Sequence, residues 1–349
     1  SSPSHLGVLD EKGYSLLHHA AACNHAHILC QLAAAGVSLD QPRSARYRSS
    51  PLLLAATSGS VQALDFLLSL GADWRRRDSK DNSAVHLAVL YFHTKVLTHL
   101  MELDLEGLPV WELLVEMLQS EDHKRLEMAV RCMEALCVAA GSFWKDIINA
   151  GGIPALLDLL RNGRQALQCI AAAVVCHMSQ RALVCEKLVQ CGAVPVLLNL
   201  LASQVPELHS RCTVILADLA SHSQAYQALI AQLGGIAPIV KLLNSDLQDV
   251  LVNVVRCIRA LCICSPANQK VLQKESCTTL AELTHEHRQN QDAVCTAGAV
   301  GPLVQILRGR RLSVKMEAAR ALEAVADHNP AIQALFLKKS AAKHLLYLL

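Results

Sequence analysis

Repetition constrains this 349-residue chain more than any other feature: short motifs recur along it at two fixed spacings, one in each part. A unit that recurs every few tens of residues is one supersecondary element, and it buries its apolar face only against its neighbours. The fold is therefore a linear array, and each repeat can be read separately.

Three segments align near the N-terminus: Ser15-Leu-Leu-His-His-Ala-Ala21, Ser50-Pro-Leu-Leu-Leu-Ala-Ala56 and Ser83-Ala-Val-His-Leu-Ala-Val89, with starts 35 and 33 residues apart. Each is followed by a leucine-rich stretch, and the first two close on Gly36-Val-Ser-Leu-Asp40 and Gly71-Ala-Asp73. The pattern describes a turn, a short helix, a second apolar helix and a glycine-closed loop. It resembles the ankyrin repeat, with His18 and His86 at the signature histidine and Asp10-Glu-Lys-Gly13 at the preceding turn. The third copy lacks its closing Gly-Ala-Asp, so the stack is expected to stop near Asp104.

A second motif follows: Gly151-Gly-Ile-Pro-Ala-Leu-Leu157, Cys191-Gly-Ala-Val-Pro-Val-Leu-Leu198, Leu233-Gly-Gly-Ile-Ala-Pro-Ile-Val240 and Ala297-Gly-Ala-Val-Gly-Pro-Leu-Val304. Gly152 to Gly192 is 40 residues and Gly192 to Gly235 is 43. Glycine ends one helix, Pro195 or Pro238 starts the next, and a longer Ala/Cys-rich helix follows. This resembles the armadillo repeat, with its short first helix, second helix and long third helix. The expected fold is all-α: an ankyrin-repeat stack of about three repeats over residues 1–105, then an armadillo α-solenoid superhelix of about five over 106–349. The short Glu106-Gly-Leu-Pro109 junction predicts that the two stacks abut.

Two irregularities stand out. Gly235 to Gly298 is 63 residues, about one and a half repeats. Asn268–Gln273 reads as a first helix, but no Gly-Ile-Pro opening follows, and Ser276–His285 resembles the tail of a third helix. A repeat truncated near 275–297 predicts irregular packing or a kink around Glu275–Gln291. The last repeat, Ala331–Leu349, is incomplete and ends apolar. With Ser1 in place of Met, this predicts that the natural protein is longer.

Composition narrows the function. Lys and Arg number 32 against 30 Asp and Glu, so no global field draws the chain to nucleic acid or to an anionic membrane. The 14 cysteines are too sparse for a disulfide scaffold, and most sit in apolar helical runs (Cys132, Cys137, Cys169, Cys176, Cys212, Cys257, Cys262, Cys264). A reducing, intracellular compartment is expected, cytoplasmic or nuclear. The uncharged stretch Leu188–Pro206 leaves membrane association open, but Pro and Gly interrupt it and its pattern recurs, so it reads as core and not as a span.

No catalytic frame is present: no nucleophile elbow, Walker loop, dinucleotide fingerprint or H-E-x-x-H. His285-Glu-His287 reads as a polar loop. His19, Cys23, His25, His27 and Cys30 crowd one repeat, but Cys30 falls on the apolar side of the second helix, and packing is the preferred reading. No cofactor, metal or small-molecule substrate is expected. Protein partners are.

Two surfaces are candidates. Of nine Lys and Arg in residues 1–105, six lie in two loops. Arg43, Arg46, Tyr47 and Arg48 form one, and Trp74, Arg75, Arg76 and Arg77 the other, an Arg/aromatic composition typical of interface hot spots. The second surface is the armadillo third helix. The resemblance places a peptide-binding Asn there, as in importin alpha and beta-catenin. This chain has Val138, His177, Asp218, Ile263, Glu282 and Ala324 in that slot, none an Asn. One turn earlier stand Glu134, Ala173, Val214, Arg259, Thr278 and Arg320, without the importin Trp. Arg131, Arg211 and Arg256 extend this into a broken basic line suited to an acidic, extended segment. The expected function is a non-enzymatic scaffold. The alternative is a regulatory or targeting region of a larger protein whose catalytic or membrane part lies elsewhere.

Overall fold

A computed structural model describes residues 8–40, 48–103, 105, 107–139, 143–245, 247–262, 265–284, 291–292, 295, 300–308 and 312–338. Among these residues there are helices and turns and no strand. The chain forms two compact units, Ser1–Met178 and Ser179–Leu349.

The first unit begins with three helix pairs: α1 (Leu16–Ala22) and α2 (Ala26–Ala34), α3 (Pro51–Ser58) and α4 (Val61–Ser69), α5 (Ala84–Leu90) and α6 (Thr94–Glu102). Serine starts the first helix of every pair. Ser15 Oγ and Ser83 Oγ each lie 2.8 Å from Nδ1 of the histidine three residues on, and Ser50 Oγ accepts from Leu53 N with Pro51 at the first helical position. His18 is fully buried, and its Nε2 donates to Ser49 O of the next repeat. One residue type therefore caps a helix and joins two repeats. The turns ahead of α1 and α5 share a device: Asp10 Oδ1 accepts from the backbone of Lys12 and Tyr14, and Asp78 Oδ1 from Lys80 and Asn82.

The same unit continues through α7 (Val110–Leu118), α8 (His123–Ala139), α9 (Trp144–Asn149), α10 (Gly152–Asn162) and α11 (Gln165–Met178). Helix α5 packs on α7 and α8, Arg125 Nη2 donates to Asn82 Oδ1 at 2.6 Å, and Cys132 Sγ faces Val89 O. The three helix pairs and the helices that follow them are packed together here. Gly152 has no room for a side chain, since a Cβ would stand 2.6 Å from Ile147 Cγ2. Gly235 is as tightly enclosed, whereas the copy between them carries buried Ala193 at this place.

The second unit holds α12 (Ala182–Gln190), α13 (Ala193–Leu200), α14 (Pro206–His222), α15 (Gln224–Gln232), α16 (Ile236–Lys241), α17 (Gln248–Cys262), α18 (Pro266–Thr284), α19 (Val300–Leu307), α20 (Leu312–Ala326) and α21 (Pro330–Lys338). The prolines sit two residues later than expected: Pro195 and Pro238 are third in their helices, where the amide has no intrahelical acceptor in any case. Gly192, with φ +75°, bends α12 away from α13 by 87°. Among the described residues no single helix is long and apolar enough to cross a membrane.

In the irregular stretch Gly235–Gly298 no kink interrupts the described residues from Glu275 to Thr284. Pro266–Thr284 is one continuous helix, so the first-helix segment runs directly into the third-helix tail. Its Cys277 lies in a core cluster with Leu303, Val304, Leu307, Ala318 and Leu322. Two segments that are each helical fuse without a break when no Gly or Pro separates them. Residues 285–290 and 339–349 lie outside the described residues, and with them His285, His287 and the apolar end.

Buried amides tie the armadillo repeats together. Gln227 Nε2 donates to Ala220 O and Ala260 O, Asn268 Nδ2 to Leu261 O, and Gln291 Nε2 to Ala324 O and Asp327 O. Each satisfies a carbonyl that the end of a third helix leaves open.

Candidate functional site

The ankyrin loop after α4 is shaped by its own acids. Asp40 Oδ1 accepts from Asp73 N, and Asp73 Oδ1 from Arg75 N, a short turn that projects Trp74. The Arg75 guanidinium lies over the Trp74 ring at 4.4 Å from its centroid. Arg76 pairs with Asp73 at 3.8 Å, and Arg77 with Asp81 at 3.1 Å. The three arginines are exposed, and two of them already meet a local carboxylate. Arg48 is exposed with φ +48°, while Arg43, Arg46 and Tyr47 lie outside the described residues.

The armadillo ladder divides between the two units. In the first, Arg131 pairs with Glu127 on its own helix at 2.8 Å, Glu134 is half-buried, and Val138 and His177 are exposed. In the second, Arg211 pairs with Glu207 at 3.9 Å and Arg320 with Glu317 at 3.6 Å, again within single helices. Asp218 corrects the sequence reading. It is 4% exposed and offers no free carboxylate to a partner. Its Oδ2 accepts from buried Ser179 Oγ at 2.6 Å, and its Oδ1 from Arg256 Nη2 at 2.5 Å. Asp218 therefore positions Arg256, whose side chain stays about half exposed. Asn253 Nδ2, one turn back on α17, donates to Ser210 Oγ of α14, so the two third helices are joined at two levels. Arg259 is exposed and has no carboxylate partner among the described residues. Val252 and Val255, on the same face, are 61% and 56% exposed. Ile263 and the Glu282 side chain fall outside the description, and Ala324 is buried.

Neither Ser179 nor the valine pair was read from the sequence. Ser179 lies 39 residues from its acceptor, and Val252 and Val255 look like any other apolar positions of an amphipathic helix. The His/Cys cluster also departs from expectation: Cys30 is exposed, not apolar-facing, and His19 is spent on Asp10 at 2.9 Å. No group of three or more His, Cys, Asp or Glu able to hold a metal ion occurs among the described residues. Cys132 and Cys257 are buried thiols that desolvation pushes up to about 12, far from the range of a reactive thiolate.

The family description "Ankyrin repeats (3 copies)" matches residues 17–107, and "Armadillo/beta-catenin-like repeat" matches 144–180 and 287–323. The chain therefore carries ankyrin repeats followed by armadillo repeats, both of them known protein-interaction modules. It is similar to "Ankyrin and armadillo repeat-containing protein" of Homo sapiens, 40% identical over 262 residues, covering 75% of this chain and 18% of that one. The Mus musculus protein of the same name is 39% identical over 267 residues, covering 76% and 18%. The chain thus spans about a fifth of the length of these curated relatives. A crystal structure of an engineered protein shares the fold, with TM-score 0.53 and 21% identity over 95% of this chain and 88% of that one.

Proposed function

We propose that this chain is a non-enzymatic scaffold, with ankyrin repeats to about residue 105 and armadillo repeats beyond, that binds polypeptides through its ankyrin loops and its third-helix faces. One observation carries this reading: on α17 two exposed valines flank Arg256 and Arg259, one guanidinium fixed by a buried carboxylate and the other unneutralised among the described residues. Exposed apolar area beside oriented arginine suits an extended acidic segment with aliphatic side chains, held by Arg–carboxylate pairs. The free cysteines and the absence among the described residues of a single membrane-crossing helix support a cytoplasmic or nuclear site of action.

Arg259→Glu is the discriminating variant, because Arg256→Glu would also disturb Asp218. Affinity capture with the intact chain should lose acidic partners on Arg259→Glu while thermal unfolding is unchanged. An unaltered set of captured proteins refutes the α17 site. The small share of the curated relatives that this chain covers favours a second reading, a regulatory or targeting part of a longer protein. It predicts that capture recovers the remainder of such a protein or its substrates.

A further inference from the structure

A cleft of about 280 Å³ opens in the first unit where the last ankyrin turn meets the first armadillo helix. Trp74, Arg75 and Arg77 line one side, Leu108, Pro109 and Leu113 the other, and the start of α5 closes the floor. Among the described residues the charged side chains on its lining are Arg75 and Arg77. The walls come from different repeat types, and Asn82–Arg125 together with the packing of α5 on α7 and α8 hold them at a fixed separation. On one side Asp73 and Asp78 fix the loop through backbone hydrogen bonds, and Arg75 covers one face of the indole. The site is built before any ligand arrives.

We propose that this junction cleft is a composite docking site for a polypeptide segment that presents one aliphatic or aromatic side chain next to a carboxylate. The apolar side chain enters between Trp74 and the Leu108–Pro109–Leu113 wall. The carboxylate meets the Arg75 guanidinium at the rim, beside the Arg77–Asp81 pair. The volume suits a single large side chain, below the range of drug-sized ligand pockets. Charge sets the sign of the partner: Arg77 is already paired with Asp81, and Arg75 has no carboxylate partner among the described residues. Tryptophan and arginine at the mouth of an apolar pocket are also the residue types that dominate binding energy at interfaces. The proposal rests on the reading of the chain as a polypeptide binder, but at a place neither repeat type could form alone.

The test uses the whole chain labelled with 5-fluorotryptophan, whose three tryptophans, Trp74, Trp111 and Trp144, give three fluorine signals. The probe is a synthetic decapeptide with one central Leu flanked by Asp and Glu. Controls replace the acids with Lys or the Leu with Gly. The Trp74 signal, assigned through Trp74→Phe, should shift with the acidic Leu peptide up to millimolar concentration and stay still with both controls. Arg75→Glu with Arg77→Glu should weaken the titration at least tenfold, while Arg259→Glu leaves it unchanged. No Trp74 shift at millimolar probe, or an equal shift with the Lys peptide, overturns the proposal. Because Arg259→Glu reports on α17 and the fluorine signal on the junction, failure of one site is told apart from failure of the other.

Discussion

The arginines of the ankyrin loop and those of α17 are both exposed cations on repeat units, yet they are held in opposite ways. Arg76 and Arg77 pair with acids three and four residues away, inside a single turn. Arg256 reaches a carboxylate 38 residues distant on another repeat, and that carboxylate is buried. The first arrangement displays charge without supporting the stack. The second makes one guanidinium part of the stack and leaves its neighbour Arg259 to face solvent.

Three measurements would break or sharpen that contrast. The largest effect belongs to Asp218→Ala, which leaves buried Ser179 without its carboxylate acceptor and Arg256 unanchored. The second unit should lose about 2 kcal/mol in urea unfolding, discounted because Arg256 can turn to water. A change below the error of the midpoint would show that the cross-repeat pair is ornamental.

The next effect depends on pH and lies in the first unit. Desolvation by burial holds His86 below its ordinary value, with Arg77 and Arg125 adding to the shift. A base with a lowered folded pKa binds protons more readily when unfolded, so its native state is favoured above the unfolded value and loses stability as pH falls through it. The melting temperature should therefore drop between pH 7 and about 5.5, around the ordinary histidine value of about 6.5, and His86→Gln should flatten the slope. An identical slope in the variant counts against this assignment.

The smallest effect is Arg76→Ala. An exposed pair of this kind contributes little, and stability should move by no more than about 0.5 kcal/mol while the charge of the loop changes. A shift comparable to that of Asp218→Ala would erase the distinction between the two regions.

The repeat types and their order were legible in the sequence because glycine, proline, serine and histidine punctuate local structure. Ser83 and His86 meet within one turn, and Gly192 needs its positive φ whatever surrounds it. Long-range partners were not legible. The charge on Asp218 reads as a surface residue until Ser179 and Arg256 are brought to it, and nothing in the spacing of three such residues announces a contact. The wall opposite Trp74 has the same character, since Leu108, Pro109 and Leu113 read only as a junction and the start of a helix. The absence of a break before Thr284 has a more local reason: a missing Gly-Ile-Pro removes the break as well as the repeat, so the helix runs on.

That fused helix imposes an arithmetic on the sequence. Asn268 points back toward Gln227 and Leu261, and Cys277 forward into the cluster with Leu303 and Leu322. Nine residues are about two and a half turns, so the two side chains stand back to back on one rod. Each added or deleted residue between them would rotate one contact away from its target by about 100°. Phase, more than residue identity, is what this segment has to preserve.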